Sequence, residues 1–222
     1  MNDALSSKPA QDGAAPSAAE GRWTEWLLRG FGLMAYAFAV FSLASAWWAD
    51  PSRMTLLLLL LTEGYTLMLM LLARPARIRD MAPTTIAATI YAAFFYVLFE
   101  PRGTVHWIPE QAAVLLQLGG TLVQFSAKFV LGRSFGLLPA ERGLVMAGPY
   151  RIVRHPIYLG YLIGHVGFLL ANFSWRNAAV LAVLYVAQAI RIRREEAMLA
   201  ATSGTYRHYQ QRVRWRLLPL VY

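Results

Sequence analysis

Long apolar runs separated by short polar breaks dominate the chain after its polar N-terminal stretch. A helix that crosses the roughly 30 Å hydrocarbon core needs about 20 mostly apolar residues, each rising about 1.5 Å. On that scale residues 31–48, 54–72, 82–99 and 112–131 predict four spanning helices. A further apolar region, 157–190, is interrupted at Asn172-Phe173-Ser174-Trp175-Arg176-Asn177. This predicts a helical hairpin whose first arm, 157–171, is short for a full crossing. The expected fold class is all-α: a polytopic transmembrane bundle of about six helices, the last two forming the hairpin. Five full spans plus one shallow arm is the alternative. The Ala-, Ser- and Gly-rich start reads as a disordered tail over 1–25, with transmembrane helices over 26–131 and a distinct region over 132–222. Ala44-Ser45-Ala46 imitates a signal-peptidase site, but the stretch before its apolar run is too long and too weakly basic for one, so a retained helix is expected.

Composition agrees with a membrane reading. Of the 222 residues, 57% are hydrophobic and 15% charged, against about 45–50% and 25% in soluble domains. The net charge of +9 suggests nucleic acid at first sight, but a water-soluble basic binder would not devote this much of its chain to apolar residues. With no cysteine, disulfides, thiolate metal sites and a cysteine nucleophile are excluded. Four scattered histidines also argue against a metal site.

Charge then tests the span count. With six crossings and both termini inside, 18 of the 21 cations fall on the cytoplasmic side and only Arg53, Arg102 and Arg176 outside. The basic excess is therefore read as topology and contact with anionic lipid. An integral membrane protein is expected, in the inner membrane if the source is bacterial, with both termini cytoplasmic. No internal duplication of the kind many transporters carry is visible.

Polar residues gather in the second half. Ionisable groups at membrane depth cost about 2.5–3.5 kcal/mol or more, which makes them functional candidates. The first cluster is Gly148-Pro149-Tyr150-Arg151-Ile152-Val153-Arg154-His155-Pro156-Ile157-Tyr158-Leu159-Gly160. Pro156 suits the first turn of a helix and puts His155 at its mouth, among free amides that attract anions. Tyr158, Tyr161 and His165 then share one face, while Gly160, Gly164 and Gly167 permit close approach by another helix or a ligand. A membrane-surface anchor accounts for the same pattern. In the second cluster, Arg191 and Glu195 share a helix face and Glu196 points about 100° away; a solvated helix end is the plain alternative. A tail containing Tyr206, Tyr209, Arg214 and Arg216 either lies on the interface or closes over a site as a lid. Gln117, Gln124 and Lys128 give the fourth helix one polar face, which either lines a tunnel or bonds a neighbouring helix, with Lys128 snorkelling to the interface. Glu63 is expected to make a structural pairing, and His106 and His208 to sit at interfaces.

Taken in order, Gly-Pro-Tyr-Arg-x-Val-Arg-His-Pro-x-Tyr-x-Gly, a hairpin, Arg-x-x-x-Glu-Glu-x-x-Leu, Tyr-x-x-Tyr and a basic segment ending in Leu-Pro resemble the isoprenylcysteine carboxyl methyltransferase family, whose broader pattern phospholipid methyltransferases share. The resemblance covers roughly residues 132–219. One departure is Ser203-Gly204, where the family often has Phe-Gly. The resemblance implies a membrane enzyme using S-adenosylmethionine from the cytosolic side and a lipophilic or lipid-like acceptor entering between helices. It also implies that Tyr150, His155, Tyr158, Leu159, Glu196, Tyr206 and Tyr209 bind the cofactor and that Arg191 and Glu195 stand beside the reacting atoms. No metal and no nucleic acid are implied. Arg191 would orient an acceptor carboxylate, whereas an amine acceptor would make Glu195 a base. Carboxylate O-methylation is the expected reaction, with a phospholipid, amine or thiol acceptor as the alternative. A small transporter and an NADPH-dependent membrane reductase are the rival functions.

Overall fold

The computed structural model describes residues 18–49, 51, 54–74, 80–98, 100, 104–136 and 143–221. These form seven α-helices: α1 (Ala18–Ala49), α2 (Met54–Leu72), α3 (Pro83–Phe94), α4 (Glu110–Leu131), α5 (Pro156–Ala171), α6 (Trp175–Thr202) and α7 (Gly204–Arg212). There is no strand among the described residues, only one isolated antiparallel bridge between Val105 and Phe173.

Local chemistry sets the boundaries. Pro83 and Pro156 occupy the first positions of α3 and α5, where a missing N–H costs nothing. Ser174 and Ser203 cap α6 and α7, accepting from the amides of Asn177 and Tyr206. α4 stops at Gly132, whose φ of 50° favours glycine.

The expected tail over 1–25 overlaps α1 at residues 18–25. Residues 1–17 lie outside those described, and α1 takes in the rest, as the good helix former Ala and the Glu of its first turn favour. The span expected over 82–99 also ends early: α3 has 12 residues and tightens into a 3-10 turn, Phe95–Leu98. Among the described residues two helical stretches are long and apolar enough to cross a membrane, Gly30–Ala49 and Glu110–Ser134, while Leu60–Leu72 and Pro156–Ala171 are shorter apolar helices. Of the cations used for orientation, Lys8, Arg53, Arg77, Arg79, Arg102 and Arg142 lie outside the described residues.

Large apolar side chains face outward along the helices. Leu115, Leu122 and Phe129 form an exposed row on α4, and Phe31, Met34, Phe38 and Phe41 another on α1. Contiguous surfaces of this kind mark contact with lipid or protein, not water.

The most extensive packing joins α4 to α5. A Cβ added at Gly120 would lie 2.5 Å from the Gly160 carbonyl oxygen, and one at Gly160 would lie 2.5 Å from that of Gly120. The two backbones therefore touch, running antiparallel, so that the end of α4 meets the start of α5. On the other flank, Tyr91 on α3 donates to the Val180 carbonyl of α6 at 3.0 Å. α6 has 28 residues, about 42 Å at 1.5 Å per residue, so about two of its turns outrun a 30 Å core.

Candidate active site

The site forms where the start of α5, the second half of α6 and the C-terminal tail converge. The Gly148–Arg151 segment is a 3-10 turn opened by Gly148 at φ 57°, with Val130 of α4 packed where a Cβ would go. That turn leads to Arg154 and His155, both buried, at the mouth of α5.

Glu196 organises the convergence. Its Oε1 accepts from Arg154 Nε at 2.7 Å and His155 Nε2 at 3.1 Å, and its Oε2 from Arg154 Nη2 at 3.2 Å and Arg216 Nε at 2.8 Å. Burial alone would raise this carboxyl, but the bonds from His155, Arg154 and Arg216 overcome that and hold it well below the usual carboxylate range. A buried carboxylate is tolerable when its lone pairs are satisfied in this way. Arg154 Nη1 also donates to the carbonyls of Val213 and Arg214. The amides of Arg154 and His155 donate to Trp215 and Arg216 carbonyls, each at 2.9 Å. The tail is thereby stitched onto the α5 motif.

Tyr206 and Tyr209 of α7 are buried with Val213 against Leu144, Leu199 and Ala200. Tyr209 donates its hydroxyl to the Tyr150 carbonyl at 2.7 Å. Burial raises the phenols of Tyr150 and Tyr206 and pushes that of Tyr209 up to about 12, so all three remain neutral donors at physiological pH.

A second layer lies beside this lattice. The His155 and Tyr158 rings stack at 5.7 Å, and the Arg191 guanidinium lies 5.4 Å from the Tyr158 centroid. Arg191 is buried and donates to Gln188 Oε1 at 2.9 Å. Glu195 is half-buried and within electrostatic reach of Tyr150, Tyr158 and Tyr206.

The structure thus gathers Tyr150, His155, Tyr158, Arg191, Glu195, Glu196, Tyr206 and Tyr209 around one place. Leu159 belongs to the same first turn of α5, its amide bonded to the His155 carbonyl at 3.2 Å, but is tied to the others only by that position. Three partners were not singled out as site residues from the sequence. Arg154 and Arg216 had signals, one inside the motif and one in the basic tail; Gln188, a turn before Arg191 on an apolar helix, had only its polarity.

Lys128 does not snorkel. Its side chain has no exposed surface, and its Nζ donates to Thr66 Oγ1 at 2.7 Å and to Tyr161 Oη at 3.3 Å. Glu63 does make the expected pairing, accepting from the Tyr36 hydroxyl. His165 pairs with Tyr185 Oη at 2.9 Å, and His106 with the Ala171 carbonyl. Among the described residues no group of three or more His, Asp or Glu side chains is placed to hold a metal ion.

Residues 110–206, from the start of α4 into α7, match the phospholipid methyltransferase family model. Over this stretch the chain is similar to that family. Over 124 residues it is 33% identical to protein-S-isoprenylcysteine O-methyltransferase B of Arabidopsis thaliana, which covers 53% of this chain and 63% of that protein. Over 76 residues it is 33% identical to protein-S-isoprenylcysteine O-methyltransferase A of the same plant, covering 32% and 39%. The chain spans less than two thirds of the length of either relative. The family match contains the α5 motif, the hairpin and the Arg191–Glu196 segment, and ends before Tyr209 and the tail.

Proposed function

We propose that this chain is an integral membrane methyltransferase that uses S-adenosylmethionine to methylate a lipophilic acceptor, with isoprenylcysteine-like carboxylate O-methylation the favoured reaction. The observation that carries this reading is the lattice around Glu196, which joins the α5 motif and α6, both inside the region that matches the family model, to the tail beyond it. A bundle of about six helices, five of them full crossings if one arm is shallow, with both termini in the cytoplasm and in the inner membrane if the source is bacterial, completes the proposal.

The residues present suit the cofactor. An aromatic wall of His155 and Tyr158 suits a nucleoside ring and a sulfonium, and Glu195 at its side favours positive charge. The first-turn amides of α5 that follow Pro156 suit a carboxylate. When bound, S-adenosylmethionine supplies an electrophilic methyl group on a positively charged sulfur. The chain's own residues then position and desolvate. Both oxygens of Glu196 are engaged, so it acts by fixing His155, Arg154 and the tail. Arg191, held by Gln188 and the Tyr158 ring, presents guanidinium N–H groups that align an acceptor carboxylate for in-line approach. A carboxylate nucleophile needs no base; an amine would pass its proton to Glu195. Tyr206, Tyr209 and the tail keep water out, which favours a step that neutralises opposite charges.

Calorimetry on the detergent-purified protein tests the reading. Saturable heat with S-adenosylmethionine is expected, and none at millimolar cofactor would sink it; heat with NADPH instead would favour a reductase. Mass spectrometry of membrane extracts incubated with methyl-labelled cofactor identifies the acceptor.

A further inference from the structure

Lys128 is a buried charge to which the function above assigns no task. A fully buried ammonium within a membrane bundle is expensive, and a neutral side chain would join α2, α4 and α5 at lower cost. Among the described residues its hydrogen-bond partners are two neutral hydroxyls, Thr66 and Tyr161. An ammonium carries three N–H donors, so one remains. Glu63 is within electrostatic reach but makes no ion pair with Lys128 among the described residues.

The position is as informative as the leftover donor. Lys128 lies 5.2 Å from the Tyr161 ring, and Arg191 lies 5.4 Å from the Tyr158 ring. Those tyrosines are one helical turn apart on α5, so two buried cations rest on successive rungs of one aromatic face. Tyr158 and Tyr161 are both half-buried. One turn before Lys128 on α4, the buried Gln124 Oε1 has no hydrogen-bond partner. A donor and an acceptor are thus left unspent on one helix face beside the proposed site.

We propose that Lys128 is an acceptor-binding residue that selects an acidic head group. Its remaining N–H and the Arg191 guanidinium hold that group across the tyrosine face, and an ammonium head group is repelled by both. This assignment rests on the methyltransferase reading and adds a specificity-determining residue to it.

The test uses full-length protein in nanodiscs, with N-acetyl-S-farnesylcysteine as the carboxylate probe and phosphatidylethanolamine as the amine probe. Wild type is expected to methylate the carboxylate in preference to the amine. Lys128→Met is expected to raise KM for the carboxylate at least about tenfold while the Kd for S-adenosylmethionine stays within about twofold. Lys128→Arg, which keeps the charge, should retain most of the affinity and serves as the second arm if the Met variant does not fold. Unchanged KM in Lys128→Met, or joint loss of cofactor binding in both variants, would overturn the assignment. So would wild-type methylation of the amine alone or of neither probe. Failure of wild type to bind S-adenosylmethionine is a separate result, seen before any variant is made, and sinks the parent reading.

Discussion

The hairpin of α5 and α6 is tied down at both ends, by opposite means. At the motif end, one carboxylate gathers two guanidinium groups and an imidazole, and the tail is bonded to the same motif. At the turn of the hairpin the ties are mostly neutral. Asn177, with no exposed surface, accepts from the Glu100 amide and donates to the Glu100 and Asn172 carbonyls. Trp107, Phe173 and Trp175 stack nearby, with Val105 bridged to Phe173. Charge-centred ties can be loosened by a ligand, a proton or salt; amide ties cannot. On the proposed reading, the turn is scaffold and the motif end responds to ligand.

The largest expected effect comes from Glu196→Ala. It leaves Arg154, His155 and Arg216 without their shared counter-charge and should cost about 3–5 kcal/mol, with loss of cofactor binding. Thermal unfolding in detergent together with calorimetry checks both parts. Asn177→Ala removes three hydrogen bonds from a buried site and should cost about 2–3 kcal/mol. Cofactor affinity in the surviving folded fraction should not change; a tenfold weaker Kd would erase the contrast between the two ends.

Acid should separate them next. The bonds around Glu196, and those from Arg194 to Asp80, hold both carboxyls below their usual range. A depressed carboxyl contributes stability that is complete above its unfolded pKa of about 4 and is lost as pH falls further. Hydrogen exchange in α7 and the tail should therefore match the neutral pattern down to about pH 5 and rise below pH 4, ahead of residues 104–108. Simultaneous opening at both ends would contradict this. The smallest effect expected is from Tyr209→Phe, which deletes one bond to the Tyr150 carbonyl, about 1 kcal/mol. A small drop in Tm with a few-fold weaker cofactor affinity is the outcome to look for.

Much of this arrangement is legible from local signals. Pro83, Pro156, Ser174 and Ser203 mark helix starts because their roles depend on neighbouring residues alone. The polar face of α5 and the separation of Glu195 from Glu196 follow from helix period. What escapes the sequence is non-local. Arg154 meets Glu196 across 42 residues, and Lys128 meets Thr66 across 62, so neither pair shares a periodic pattern. That is why Lys128 reads as a snorkelling side chain until Thr66 and Tyr161 close around it. The early end of α3 is equally hidden, since Phe95-Tyr96-Val97-Leu98 is apolar enough to continue a span and only backbone geometry shows it tightening.

On the proposed reading, the length of α5 sets the depth of the chemistry. Sixteen residues at about 1.5 Å each make about 24 Å, against roughly 30 Å of hydrocarbon. With its far end at one boundary of the bilayer, its mouth stops several ångströms short of the other. His155 and the tail above it then sit in a dimple at the depth where lipid chains begin. A polar donor arriving from water and an acceptor dissolved in lipid would meet there without either leaving its own phase.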